Sequence, residues 1–373
     1  MQLSVIILNY NVRYFLEACV RSVQAAITTL DAEIIVVDNN SPDDSCEMMR
    51  NTFPEIQLLA NTENVGFAKA NNQAVQLAKG EYVCILNPDT IVAEDTFTQL
   101  LQFADATENL GSIGCKLIDG SGKFLPESKR NIPTPMVSVK KILGNKNSGY
   151  YSSLEENEIG KIDILVGAFM LMKKEVYDAV GGFDEDYFMY GEDIDLSYKI
   201  KKAGFQNYYY GKTSVIHYKG ESTLKDKTYA KRFYGAMQLF YKKHFKRNLV
   251  YDVAVTLGAR LIPLVSPSET STKKEVQKYI IVSDSAERFK QIQAVYHPKN
   301  CVQVENLGHF FRQIEGEKNI EIILDNHFVD MKDSIQIFEK QFGYYKILPK
   351  NSTFIVGSDS SKNRGEVRLL SEL

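Results

Sequence analysis

Three nearly continuous apolar runs constrain this chain more than any other feature: residues 3–8 (LSVIIL), 33–37 (EIIVV) and 81–86 (EYVCIL). A strand with one wet face alternates apolar and polar residues, whereas a strand covered on both faces does not. Between these runs the period changes. Phe15, Cys19, Val23 and Ala26 recur on one helical face, a short strand is expected near residues 56–59, and Asn64-Val65-Gly66-Phe67 opens a helix that runs to Lys79. Another helix is expected at about residues 95–106. Strand–helix alternation of this kind predicts an α/β fold built on a parallel sheet with helices on both faces.

The polar residues follow that plan. The runs end in Asn9-Tyr10-Asn11, Asp38-Asn39-Asn40-Ser41 and Asn87-Pro88-Asp89-Thr90. In open α/β sheets the carboxyl ends of the strands are where ligands bind. There is no GxGxxG after the first strand and no P-loop, which argues against a dinucleotide fold or a P-loop NTPase. A carboxylate after the second strand can accept the N–H of a pyrimidine base or a ribose hydroxyl. Asp38 could equally cap the following helix, although Ser41 or Asp43 could fill that place.

A second constellation lies in residues 181–204, GGFDEDYFMYGEDIDLSYKIKKAG. The alternation of Ile194, Leu196, Tyr198 and Ile200 would suit a strand, while Leu196, Ile200 and Ala203 share a helical face. Acidic residues at the start, lysines at the end and Gly204 beyond favour the helix, because the helix dipole prefers that order of charge. Glu192 and Asp193 then stand at the mouth of a helix beside aromatic residues. Residues 117–122 (LIDGSG) read as a hairpin turn, and residues 125–160 as a mobile loop over the ligand edge or a merely tolerated surface excursion. Residues 163–172 read as a strand in which Val166-Gly167-Ala168 lets the backbone approach a ligand closely.

Net charge is −3, so nothing suggests a nucleic-acid partner. The five cysteines are scattered without a CxxC pair and read as reduced thiols of a cytoplasmic protein. The N-terminus lacks the basic flank of a signal peptide, and no apolar run is long enough to span a bilayer. Residues 219–247 hold seven Lys and two Arg against Glu221 and Asp226, interleaved with Phe233, Tyr234, Phe240, Tyr241 and Phe245. With the apolar residues 250–265 they predict an interfacial segment that holds the protein peripherally at an anionic membrane surface, on the inner face of the cytoplasmic membrane. Helices packed on the preceding domain would be the alternative. Strand-like runs at 279–282, 302–304, 320–324, 345–348 and 354–356 predict a small Rossmann-like α/β domain. It reads as an assembly or docking domain, through which the chain could form a homo-oligomer. The expected divisions are residues 1–218, 219–272 and 273–373.

Six motifs occur in order: SVIILNYN, IIVVDNNSPDDS, NVGFAKANNQAV, ILNPDT, LVGAFMLMKKEVYDAVGGFDEDYFMYGEDIDLSYKIKKAG and IHYKGEST. Together, over residues 3–245, they resemble a family 2 glycosyltransferase with the GT-A nucleotide-diphospho-sugar transferase fold. The rhamnosyltransferase-like branch of bacterial surface-polysaccharide synthesis is the most similar. The resemblance implies inverting, metal-dependent transfer from a nucleotide-diphosphate sugar to a saccharide acceptor, lipid-diphosphate-linked in that branch. It implies that Asp38, with Asn9, Tyr10 and Asn71, binds the nucleotide, and that Asp193 of Glu192-Asp193 is the base. Asn87, Gly167 and Asp195 are expected at the donor and acceptor. Asn87-Pro88-Asp89 stands where the family carries DxD, so Asp89 is the one charged metal ligand there, with His217 as a second. Such a set suits Mg2+ or Mn2+, the imidazole favouring Mn2+. One base and one charge sink at the diphosphate suffice for inversion. A glycoside hydrolase, a nucleotidyltransferase and a catalytically idle scaffold of the same fold are the competing readings. The first leaves Asp38 unexplained, the second lacks its glycine- and arginine-rich loop, and the third leaves the retained carboxylates without a role.

Overall fold

The computed structural model describes residues 1–142, 148–219, 227–245, 276–296, 300–314, 319–340, 343–361 and 364–370. Its first part runs β1 (Leu3–Asn9), α1 (Arg13–Ala26), β2 (Ala32–Asp38), α2 (Ser45–Thr52), β3 (Gln57–Ala60), α3 (Phe67–Leu77), β4 (Tyr82–Leu86), β5 (Thr90–Ile91) and α4 (Thr96–Asp105). Then come β6 (Leu110–Ile118), α5 (Pro135–Ile142), β7 (Ile159–Ile162), β8 (Phe169–Lys173), α6 (Lys174–Ala179), α7 (Glu192–Lys202), β9 (Gln206–His217) and α8 (Lys227–His244). Strands β1 to β9 form one sheet in the order β3-β2-β1-β4-β8-β6-β9-β5, with β7 added to β9.

The central strand explains the nearly continuous apolar runs. β1 pairs in parallel with β2 and β4, placing Ile6 opposite both Ile35 and Ile85. Val5 and Ile7 face a core built with Leu16, Val20 and Val23 of α1 and Phe97 and Leu100 of α4. Ile6 and Leu8 face the other way, onto Ala70, Ala74 and Val75 of α3 and Leu196 and Ile200 of α7. Both faces are dry, so both parities must be apolar.

Two expectations change in the middle of the chain. The strand expected over residues 163–172 is confined to Phe169–Lys173, antiparallel to β4 and β6. Residues 163–168 leave the ladder because Ile164 bridges to Arg130 and the Asp163 carboxylate takes the Ile132 N–H and Lys201. Nor is 125–160 a single open loop. It contains a 3-10 turn at Pro126–Ser128, α5 and β7, and residues 143–147 lie outside the described residues. The turn expected at 117–122 is present, with the Gly122 N–H on Asp119 O and Ile118 bridging to Phe124.

α8 packs on this first unit. Its Ala236, Met237, Phe240 and Tyr241 are buried with Ile164, Tyr187 and Ile194. Lys243 Nζ lies 2.5 Å from both Asp184 and Asp186, and His244 Nε2 lies 2.6 Å from Asp195 Oδ1. The interleaved aromatics Phe240 and Tyr241, expected to face lipid, therefore point into the protein. Residues 246–275, with the apolar 250–265 stretch, lie outside the described residues. Among the described residues no helix is long and apolar enough to cross a membrane.

The second sheet contains β10 (Lys278–Val282), β11 (Cys301–Val304), β12 (Ile320–Asp325), β13 (Tyr344–Leu348), β14 (Phe354–Gly357) and β15 (Glu366–Leu369). Its order is β11-β10-β12-β13-β14-β15, the first four parallel and the last two antiparallel. Helices α9 (Ala286–Tyr296), α10 (Leu307–Ile314) and α11 (Met331–Lys340) connect the parallel strands. This is the Rossmann-like arrangement expected of the C-terminal residues.

Candidate active site

A cavity of about 440 Å³ opens at the carboxyl ends of β1, β2 and β4. Its walls include Tyr10, Asn39, Asn64 and Phe67 at one end, Asn87, Asp89 and His217 at another, and Arg130, Gly167, Glu192 and Asp193 between them.

The turn before α7 aims the two acidic residues. Tyr190 at φ +70° and Gly191 at φ +81° are both left-handed, a conformation that is costly for a tyrosine and free for a glycine. Helix geometry then separates the acidic residues. Glu192 and Asp193 face the cavity, whereas Asp195, about 200° round the helix from Asp193, points away from it. Asp195 is fully buried and takes His244 at 2.6 Å, the Tyr187 hydroxyl at 3.4 Å and Lys199 at 3.7 Å. The expected contact of Asp195 with donor or acceptor is thus replaced by a structural one, anchoring α8.

Asp193 is held from three sides. Arg130 Nη2 donates to Oδ2 at 2.6 Å and the Gly167 N–H donates to the same oxygen at 3.1 Å. Oδ1 takes the Ile194 N–H at 2.8 Å. A Cβ at Gly167 would stand 3.3 Å from Asp193 Cβ, a tight contact that the glycine avoids as its N–H approaches the carboxylate. Arg130 is buried, also donates to Leu165 O, and is kept charged by Asp193 against the cost of its burial. Glu192 differs. Its Oε2 is buried without a hydrogen-bond partner among the described residues, and burial, then the neighbouring Asp193 charge, pushes its carboxyl up to about 8.

At the next wall, His217 Nε2 lies 3.4 Å from Asp89 Oδ1 and 3.4 Å from Asn87 Nδ2. β5 and β9 create this meeting by pairing Thr90 with His217. His217 Nδ1 is buried with no partner among the described residues. A carboxylate oxygen and an imidazole nitrogen directed at one another fit a divalent cation. Among the described residues no group of three His, Cys, Asp or Glu side chains converges. Asp89 and His217 would hold such an ion with oxygens from a ligand and water.

Of the four residues expected at the nucleotide end, one lines the cavity and three do not. Tyr10 lines the cavity. Asn9, Asp38 and Asn71 are buried and are not among its lining residues. Asp38 accepts from Asn9 Nδ2 at 2.7 Å and from the Ser41 N–H at 2.8 Å, which ties the ends of β1 and β2. Asn71 Nδ2 donates to Phe67 O within α3. The wall beside Tyr10 is instead made by Asn39, whose side chain accepts the Val65 N–H and donates to Asn64 Oδ1, and by Asn64 itself. Arg130, Glu127 and Lys219 were also unanticipated. Glu127 and Lys219 form an ion pair on the cavity wall, which keeps the Glu127 carboxyl below its usual range despite burial. No local pattern distinguishes Arg130 from the neighbouring lysines of its segment.

Glu192 supplies a pH test. Its folded carboxyl binds a proton up to about pH 8, while an ordinary glutamate releases it near 4.5. Between those values the folded state holds more protons, so stability falls as pH rises and the cost is complete above about 8. Glu192→Gln should therefore unfold at higher urea than wild type at pH 8, by on the order of 1–4 kcal/mol, with the gap closing toward pH 5. A gap independent of pH would mean that Glu192 is ionised in the folded protein.

Comparison with known proteins bears on these features. Residues 4–181 match the family model described as glycosyl transferase family 2. The N-acetylglucosaminyl-diphospho-decaprenol L-rhamnosyltransferase of Mycobacterium tuberculosis strain H37Rv is 27% identical over 241 residues, covering 60% of this chain and 78% of that protein. Rhamnosyltransferase WbbL of Escherichia coli K12 is 29% identical over 167 residues, 41% of this chain and 61% of that one. Among solved structures, the mannosyltransferase PcManGT of Pyrobaculum calidifontis, in complex with GDP-Man and Mn2+, superimposes with a TM-score of 0.48 at 21% identity, covering 70% of this chain and 69% of that one. Residues 4–181 thus carry the glycosyl transferase family 2 signature, and over that region the chain is similar to rhamnosyltransferases.

Proposed function

We propose that this chain transfers a sugar with inversion from a pyrimidine nucleoside diphosphate, dTDP-L-rhamnose in the first instance, to a saccharide carried on a lipid diphosphate. The observation that carries this reading is the pairing of two features in one cavity: Asp193 held by Arg130 and Gly167, and Asp89 facing His217. Asp193 is the base. Its Oδ2 is engaged by Arg130 and Gly167, and Oδ1, which takes only the Ile194 N–H, receives the acceptor hydroxyl proton. The acceptor oxygen bonds to the anomeric carbon as the bond from that carbon to the diphosphate breaks, and the electron pair leaves with the diphosphate.

Charge supports a metal at the other wall. Asp89, Glu127 and Asp193 face Arg130 and Lys219 in this cavity, with the protonated Glu192 beside them. A diphosphate would add negative charge to a site already rich in carboxylates, where a low dielectric magnifies repulsion. Mg2+ or Mn2+ held by Asp89 and His217 would offset the charge that develops on the leaving diphosphate. Asn87 stands beside His217, and Lys219, paired with Glu127, lines the same cavity.

The donor assignment draws on the named activity of the mycobacterial and E. coli relatives and on the wall formed by Tyr10, Asn39 and Asn64, behind which Asp38 stands. The lipid-linked acceptor draws on the mycobacterial relative's name, whose substrate is a diphospho-lipid saccharide. Membrane contact, in this reading, falls to the exposed basic residues of α8, Arg232 and Lys242, to the exposed Phe188 under Arg232, and to Met136 of α5.

Three experiments test the reading. Asp193→Asn should leave donor binding intact and lower kcat by about 10²–10⁴-fold, whereas near-normal turnover would move the base to Glu192. Binding of dTDP, UDP and GDP should be compared, followed by turnover of their sugars. Preference for GDP would overturn the pyrimidine assignment, and preference for a UDP-hexose would overturn rhamnose alone. Co-sedimentation with vesicles should need anionic lipid and weaken with salt, and equal binding to neutral vesicles would refute the electrostatic contact.

A further inference from the structure

Asp89 and His217 lie at the weakest edge of the larger sheet. β5 is its terminal strand, only two residues long, and it joins the sheet through Thr90 opposite His217 and Ile91 opposite Ile216. A two-residue edge strand has little of its own to fix it. What covers its back is the C-terminal unit. Ile91, Ala93, Ile216 and Tyr218 are buried in one cluster with Phe338 and Val356.

Polar contacts fasten the same edge. Both carboxylate oxygens of Glu94 accept backbone N–H groups at the start of α11, from Met331 and Lys332, each at 2.8 Å. The free N–H groups of a helix N-terminus are well suited to a carboxylate, and here the carboxylate comes from the other unit. On α11's last turn, Glu339 accepts from Ser214 of β9 at 2.6 Å and pairs with Lys116 of β6 at 2.9 Å. The approach is close at Gly120, where a Cβ would stand 2.4 Å from Ser358 O.

We propose that the C-terminal unit is the positioning element for the Asp89–His217 pair, clamping β5 and the end of β9 so that carboxylate and imidazole converge. The inference rests on the reading of that pair as the metal and diphosphate end of the site. The unit acts from behind the sheet and touches neither Asp89 nor His217 as a ligand.

The test uses full-length protein, with dTDP and UDP as probes titrated by calorimetry with and without Mn2+. In wild type, Mn2+ should tighten binding. Gly120→Ala wedges the units apart, and Glu94→Gln weakens the α11 contact while keeping its shape. Each should reduce the ratio of affinities with and without Mn2+ by about tenfold and leave metal-free affinity unchanged. Ile323→Val, on the opposite face of the second sheet with Ile292 and Leu348, should lower stability without changing the ratio. An unchanged ratio in both interface variants overturns the proposal, as does an equal loss in Ile323→Val. If Mn2+ fails to tighten binding even in wild type, and Asp89→Ala matches wild type, the metal reading of Asp89 and His217 fails first.

Discussion

The ion pair between Arg130 and Asp193 organises the cavity. Both residues are buried, 2.6 Å apart, and they come from segments 63 residues apart in sequence. A buried pair of this kind costs about 3–5 kcal/mol when one partner is removed, because the other is left as an uncompensated charge. Arg130 also exchanges backbone hydrogen bonds with Ile164 and donates to Leu165 O, so its placement pulls residues 163–168 out of the sheet. That displacement brings the Gly167 N–H onto the Asp193 carboxylate. One interaction thus sets the course of the excursion after β6, the break before β8 and the orientation of the carboxylate at the head of α7. Glu192, one residue away and without such a partner, stays protonated instead.

Much of the site is completed by elements beyond the part of the chain that matches the family model. That match ends at residue 181, yet Glu192, Asp193 and His217 follow it. Each of these late elements is buttressed by another. α7 is pinned to α8 through Asp195 and His244, inside an aromatic cluster of Tyr198, Phe240 and Phe245. β9 is pinned to the C-terminal unit through Glu339 and the apolar cluster around Tyr218. The extensions thereby bear on the geometry of the cavity as well as on the surface of the protein.

The architecture was legible in the amino-acid sequence wherever local periodicity and burial agree. Nearly continuous apolar runs mean strands covered on both faces, and Val5, Ile6 and Ile7 are fully buried as that requires. The charge order of residues 192–202, with Gly204 at φ +96° just beyond, means a helix, and a helix is what forms. Strand ends carrying Tyr10, Asn87 and Asp89 mean a ligand edge, and these three line the cavity. In each case the determinant lies within a few residues of its effect.

The tertiary structure decided what depends on distant partners. Asp195 sits two residues from Asp193 and has the same chemistry, but helix rotation turns it onto His244, 49 residues away. Asp38 is polar and at the right strand end, yet Asn9 and Ser41 take up its carboxylate, while Asn71 inside α3 donates to the Phe67 carbonyl of its own helix. Arg130 is one cation in a segment of lysines until folding sets it against a buried carboxylate. The aromatic residues of α8 read as a lipid-facing stripe until Ile164, Tyr187 and Ile194 supply a protein surface for them to cover. Period and charge order are local and belong to the sequence. Which buried polar group finds which partner is non-local, and it is settled by the requirement that buried charges and hydrogen-bonding groups be matched across the whole fold.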